Sequence, residues 1–127
     1  MKLDHVNLTV SNVLEASAFF KKYFGYTDMY EDNNAGMAVL TDGSNLHINL
    51  MKGAQATYPK LFHIGFDFET EANVTAMFER LTSDGLQLEL PRHAWGSWTF
   101  HFTCPGGDFI IEVACTSEAT ENQNASW

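Results

Sequence analysis

The sequence is short of positive charge. Seven Lys and Arg stand against sixteen Asp and Glu, for a net charge of −9. Nucleic-acid backbones are held by Lys and Arg, so this balance argues against a nucleic-acid partner and, on the same ground, against a membrane-surface role. Long apolar runs are also missing. No stretch approaches the roughly 20 residues of a membrane span, and Met1-Lys2-Leu3-Asp4 does not open a signal peptide, so a cytoplasmic location is expected. Only two cysteines occur, Cys104 and Cys115. They form neither a C-x-x-C pair nor a disulfide framework and read as small buried thiols. Asn-x-Ser/Thr triplets at Asn7, Asn73 and Asn124 carry no meaning without a secretory route.

What is present is enough for a core: 45% hydrophobic and 13% aromatic residues in 127. That length makes one compact domain, or two half-modules sharing a core. An internal repeat favours the second description. Leu3-Asp4-His5-Val6-Asn7-Leu8-Thr9-Val10 returns as Leu61-Phe62-His63-Ile64-Gly65-Phe66-Asp67-Phe68, both alternating apolar and polar residues as strands do. Val6, Leu8 and Val10 share one face. His5 and His63 stand on the other, at matching positions.

Each copy runs on into a helix. Asn12 with Glu15 fits a capping box, Ala16, Phe19, Phe20 and Tyr23 form an apolar stripe, and Gly25 suits a left-handed C-cap. Strands are expected over 26–31, 37–41 and 46–51. Residues 52–60 read as a linker. In the second copy Thr70 is the expected N-cap, Val74, Met77, Phe78 and Leu81 the stripe, and Asp84-Gly85 the stop. A strand is expected over 86–90, ended by Pro91, then a loop over 92–97 that holds His93 and Trp95. A final hairpin joins 98–103 to 109–114. The predicted organisation is a β-α-β-β-β module over 1–51, a second over 61–115, and a polar, mobile tail over 116–127. The fold class is α+β, two βαβββ modules in pseudo-twofold repeat making a cupped mixed sheet with helices outside.

Overlaying the halves pairs Leu46-His47-Ile48-Asn49-Leu50 with Phe109-Ile110-Ile111-Glu112-Val113. The repeat-related polar set is then His5, Asn49, His63 and Glu112. Two imidazoles and a carboxylate with open positions suit Fe(II), Mn(II), Zn(II) or Ni(II), so His5, His63 and Glu112 are the expected metal ligands. Asn7, His47, Asn49 and Thr99 are expected to line the cavity around them. His101 is a candidate acid or base, weighed against a polar rim residue.

The βαβββ repeat, a His in the first strand of each half and a Glu in the last strand resemble the vicinal oxygen chelate superfamily, which includes glyoxalase I, extradiol dioxygenases, fosfomycin-resistance enzymes and bleomycin-binding proteins. The resemblance implies a divalent metal, a small substrate that chelates it through neighbouring oxygens, and frequent homodimers. By position, His5, His63 and Glu112 match the family's ligands. Three departures stand out. Glyoxalase I carries a Glu where this chain has Asn49, and an amide cannot take a proton. Fosfomycin enzymes have basic residues near the C-terminus, whereas no Lys or Arg follows Glu112. The family's final hairpin places its Glu six residues after the Pro, but Glu112 is seven after Pro105. A slip of one residue turns every side chain over, and a carboxylate under a helix is costly. A longer turn is therefore expected, with Glu112 kept on the histidine side.

Two classes of function follow. One is a metal enzyme of the dioxygenase or other open-site type. The other is a metal-free cup that sequesters a small molecule, as bleomycin-resistance proteins do. A lactoylglutathione-lyase-like isomerase is a further alternative.

Overall fold

A computed structural model of the chain describes residues 1–54 and 57–116. The element order is β1 (His5–Val10), α1 (Val13–Phe24), β2 (Thr27–Asp28), β3 (Met37–Thr41), β4 (His47–Lys52), β5 (His63–Asp67), α2 (Glu71–Ser83), β6 (Arg92–Ala94), β7 (Ser97–Thr103) and β8 (Ile110–Cys115). This is the β-α-β-β-β plan twice. Each copy has one four-stranded mixed sheet, ordered β1-β4-β3-β2 and β5-β8-β7-β6. Contacts group the residues into two units, Met1–Lys60 with Thr103–Phe109, and Leu61–Phe102 with 110–127.

In the first unit, α1 begins where the Asn12 side chain accepts a hydrogen bond from the Glu15 N–H, and ends at Gly25 with φ +72°. Its stripe of Ala16, Phe19, Phe20 and Tyr23 is buried against the apolar face of the sheet, formed by Leu8, Val10, Leu40, Ile48 and Leu50. The helix thus lies on one face of its own sheet and leaves the other to His5, His47 and Asn49. Phe20 is fully buried and meets the rings of Tyr26 and Phe109. Burying a ring of this size stabilises the fold by roughly 1.5–3 kcal/mol.

The turn between β7 and β8 packs on the start of α1. The Gly106 carbonyl accepts from the Ser11 and Asn12 N–H groups and from the Ser11 hydroxyl. Gly106 has φ +77°, and a Cβ there would lie 2.8 Å from the Asn12 carbonyl oxygen and 2.9 Å from the Ala16 nitrogen. Only glycine fits this approach.

In the second unit, α2 is capped by Thr70, whose side chain accepts from the Asn73 N–H. Val74, Met77 and Leu81 are buried. Trp98 donates its indole N–H to the Thr75 hydroxyl, and Phe100 meets Phe78 edge to face. Odd and even residues of β7 therefore divide cleanly, with Trp98, Phe100 and Phe102 toward the helix side.

Register makes the repeat explicit. In β1 and β4, which are parallel, His5 faces His47 and Asn7 faces Asn49. In β5 and β8, also parallel, His63 faces Ile110 and Gly65 faces Glu112. His5 is thus equivalent to His63, and Asn49 to Glu112.

Several expected boundaries need correction. No strand forms over 86–90; the short strand is β6, Arg92–Ala94, antiparallel to β7, and His93 lies in it against Trp98. The β6–β7 turn is Trp95-Gly96, with φ +55° and +77°, a pattern that Asn-Gly usually supplies. β2 spans only two residues, because the Asn33 side chain takes over as a strand partner, accepting from the Val39 N–H and donating to the Val39 carbonyl. Lys52 belongs to β4. Thr116, expected to begin the tail, is fixed by its N–H and hydroxyl to Asp67 Oδ1. The rest of the expected tail, with Asn124, lies outside the described residues, as do Gln55 and Ala56 of the linker.

Candidate metal centre

Glu112 stands on the sheet face away from α2. Its neighbours Ile111 and Val113 are fully buried, while its own side chain is 21% exposed. The extra residue after Pro105 is absorbed in the turn. The Gly107 N–H donates to the Cys104 carbonyl, Asp108 takes up φ +62°, and the Cys104 N–H donates to the Phe109 carbonyl as β8 begins. The longer turn expected from the sequence is the one observed.

Four side chains of the second unit meet at this carboxylate. The Thr99 hydroxyl, fully buried, lies 2.8 Å from Oε2 and 3.0 Å from the Val113 carbonyl oxygen. His101 Nε2 is 3.2 Å from Oε2, and His63 Nε2 is 3.5 Å from Oε1. On the far side of the His63 ring, Nδ1 is 2.9 Å from the Leu61 carbonyl oxygen. A carbonyl only accepts, so Nδ1 carries a proton and Nε2 is the ring nitrogen that faces Glu112. A proton on Nε2 or a bound cation would each satisfy the carboxylate oxygen opposite it. Gly65 lies beside the carboxylate; a Cβ there would stand 3.7 Å from Oε1, an ordinary contact. A hollow of about 210 Å³ opens next to it, lined by Gly65, Asp67, Ser97, Glu112 and Ala114 among others.

The first unit repeats the arrangement with different chemistry. His5 Nδ1 lies 3.0 Å from Asp4 Oδ2, which again leaves Nε2 as the ring's ligand atom. The His5 ring stacks on His47, with centroids 5.3 Å apart, and His47 Nε2 is 3.9 Å from the same Asp4 oxygen. Among the described residues, Asp4, His5 and His47 form a group whose ligand atoms all lie within 4.8 Å of one another. The hydrogen bond from His5 is the largest effect on the Asp4 carboxyl and holds it below its usual range; desolvation opposes it, and the nearby His47 adds a smaller lowering effect. Asn49 is half-buried, and its Oδ1 is buried with no hydrogen-bond partner among the described residues. Such an acceptor is costly to leave unmet, and a ligand or cation would satisfy it. Asn7 is exposed, directly across from Asn49.

The donor set therefore fits a divalent ion in kind: imidazole nitrogens with their tautomers fixed by a carboxylate or carbonyl behind them, and a carboxylate held by a hydroxyl. His63, His101, Thr99 and Glu112 come together in one unit, and His5, His47 and Asn49 share a face of the other. Asp4 escaped the sequence reading. It precedes the first residue of β1, so strand alternation does not govern it and its carboxylate can turn back to His5.

Comparison with known proteins bears on this geometry. A family model described as Glyoxalase/Bleomycin resistance protein/Dioxygenase superfamily matches residues 2–110. The chain belongs to this superfamily. A Bacillus cereus structure described as a possible glyoxalase is similar at 43% identity, with a TM-score of 0.83, covering 91% of this chain and 99% of that one. Two more distant members of the glyoxalase fold are FosX, a genomically encoded fosfomycin resistance protein from Listeria monocytogenes, and lactoylglutathione lyase from Agrobacterium tumefaciens. FosX is 21% identical with a TM-score of 0.75, covering 94% of this chain and 98% of that one. The lyase is 16% identical with a TM-score of 0.69, covering 90% and 92%. Both share the fold. No curated protein matches. Among the described residues, no helix of this superfamily member is long and apolar enough to cross a membrane.

Proposed function

We propose that this member of the glyoxalase superfamily is a metal-dependent enzyme acting on a small, oxygen-rich molecule, with His5, His63 and Glu112 as the metal ligands. The observation that supports the reading is the approach of His63 Nε2 to Glu112 Oε1 at 3.5 Å, with His63 Nδ1 turned to the Leu61 carbonyl. An imidazole nitrogen and a carboxylate oxygen converging in this way are the donor types that would hold a divalent ion, whereas a purely apolar binding cup would have no use for them. Bound there, the ion would supply a Lewis acid that polarises the substrate oxygens chelating it.

The chain's own residues have distinct tasks in this reading. Thr99 fixes one oxygen of Glu112, so the carboxylate reaches its ligand in one orientation. His101, 3.2 Å from Glu112 Oε2 and partly exposed, holds or moves a proton at Nε2 beside the carboxylate. Asn49 offers its amide oxygen but cannot accept a proton as a carboxylate would. That favours an oxygenase or another open-site Lewis-acid enzyme over isomerisation of the lactoylglutathione-lyase type. The ligands come from both modules, supplied by one chain or by two copies in a homodimer.

The test is metal content. The protein is purified without added metal or chelator, assayed by plasma mass spectrometry, and then loaded in turn with iron, manganese, zinc and nickel. Near-stoichiometric metal in the parent protein, lost in His63→Ala and Glu112→Ala, is the expected result. No uptake of any of the four would overturn the enzyme reading and leave a sequestering protein of the bleomycin-resistance kind.

A further inference from the structure

The hollow beside Glu112 is built wholly from the second unit, and its lining is one-sided in charge. In the parallel pair β5 and β8, Gly65 stands across from Glu112 and Asp67 across from Ala114. These four residues share one face of the sheet and mark the corners of a square. The two carboxylates occupy one diagonal, roughly 8 Å apart at their Cα atoms, and the two small residues occupy the other. Asp67 and Glu112 therefore look at each other over a low floor of glycine and alanine. No lysine, arginine or histidine lines the hollow.

A third polar group reaches it from β7. Ser97 lines the hollow and is only 6% exposed, yet among the described residues its hydroxyl makes no hydrogen bond. A hydroxyl so deeply set is costly to leave unmet, and a ligand group in the hollow would satisfy it. Asp67 is prepared in a different way. Its Oδ1 accepts from both the N–H and the hydroxyl of Thr116, which holds the carboxylate in place, and Oδ2 is left for another donor. A volume of about 210 Å³ equals that of about seven waters, room for a short aminoalkyl group. An ammonium brings three donors and no acceptor and matches the sign of the lining, whereas an anion would be repelled by it.

We propose that Asp67, together with Ser97, is a specificity determinant that receives a protonated amine of the substrate while the substrate's neighbouring oxygens occupy the metal at Glu112. The inference rests on the metal-enzyme reading and narrows its substrate class to small amino compounds with a chelating oxygen pair. It excludes substrates whose second group is an anion.

Calorimetry on the metal-loaded protein compares hydroxamates of similar length: β-alanine hydroxamate with its ammonium, neutral butyrohydroxamate, and the hydroxamate of succinic acid with its carboxylate. The ammonium probe should bind roughly tenfold tighter than the neutral one, and the carboxylate probe should be the weakest. In Asp67→Asn the amide oxygen can still accept from Thr116 but the charge is gone, so the ammonium-to-neutral ratio should fall close to one. Ser97→Ala should keep part of the preference.

The second arm needs no metal. The nitrogen-15 amide signals of Gly65, Ser97 and Ala114 are followed in metal-free protein titrated with propylammonium and, separately, with propionate. Propylammonium should shift them saturably in the parent and not in Asp67→Asn, and propionate should leave them in place. A carboxylate probe as tight as the ammonium probe, a preference that survives in Asp67→Asn, or propionate shifts as large as those of propylammonium would overturn the proposal. A parent protein that takes up no metal and no hydroxamate would instead overturn the metal reading, and the propylammonium arm would still decide the charge preference of the hollow.

Discussion

Replacing Gly106 with alanine isolates the contact between the last turn and the first helix. Two costs add. A residue other than glycine at φ +77° loses roughly 1–2 kcal/mol to backbone sterics. The new Cβ then meets the Asn12 carbonyl oxygen at 2.8 Å and the Ala16 nitrogen at 2.9 Å, and neither can swing aside, because both belong to the start of α1. The turn must retreat, which costs roughly 1–3 kcal/mol in overpacking and weakens hydrogen bonds from Ser11 and Asn12 worth about 1 kcal/mol each. The expected loss is about 3–5 kcal/mol, a large share of the roughly 5–15 kcal/mol that holds a typical domain. Gly43→Ala is the control. It has φ +89° with nothing within 4 Å of the added Cβ, so it should lose only the backbone share. Urea unfolding of both variants, compared at equal slope, separates the two costs. A Gly106→Ala variant within 1 kcal/mol of Gly43→Ala would refute the argument that the turn is wedged on the helix.

Thr99→Val removes the hydroxyl that holds Glu112; a loss of about 1.5–3 kcal/mol is expected from a charge-assisted bond, with Thr99→Ser close to the parent, measured by urea unfolding. Asn33→Ala takes the side-chain acceptor from the Val39 N–H, while the Val39 carbonyl keeps the Met29 N–H, and should cost about 1 kcal/mol by the same measurement. The Asp28 carboxyl is held below its usual range chiefly by hydrogen bonds from Lys21 and Asn33. Its contribution is therefore present above the unfolded value of 3.8 and lost as pH falls through the lower folded value. Thermal midpoints of the parent and Lys21→Ala should accordingly differ at neutral pH and converge in acid. Burial, with Glu15 and Asp108 nearby, pushes the Cys104 thiol up to about 12. Stability from that neutral thiol is intact below its unfolded value near 9 and lost as pH rises toward 12. Peptide mapping after iodoacetamide at pH 8 should find Cys104 unmodified until the protein is unfolded.

The sequence carried the helices well because their signals are local: an Asn12 cap, a Gly25 stop, a stripe at helical spacing. It also carried the repeat, since strand parity alone sends His5, His63 and Glu112 to the polar face of their sheets. It failed where side chains do unusual work. Trp95 occupies a left-handed position that normally advertises itself as Asn or Gly, so the β6–β7 turn was hidden and β6 with it. Asn33 stands in for a strand, which made β2 look longer than it is. The tautomers of His5 and His63 are set by Asp4 and the Leu61 carbonyl, contacts that no periodicity encodes.

The assignment of Thr103–Phe109 to the first unit also imposes an order of events on synthesis. When the ribosome has finished residue 60, the first module has its five elements but not the turn that receives the Ser11 and Asn12 N–H groups, nor the Phe109 ring beside Phe20. About 50 further residues must be made before that piece exists, a delay of roughly 2–10 s at ordinary elongation rates. During it the newborn first half carries an open seam at the head of α1. A gene cut at the linker would make that seam permanent in the first half.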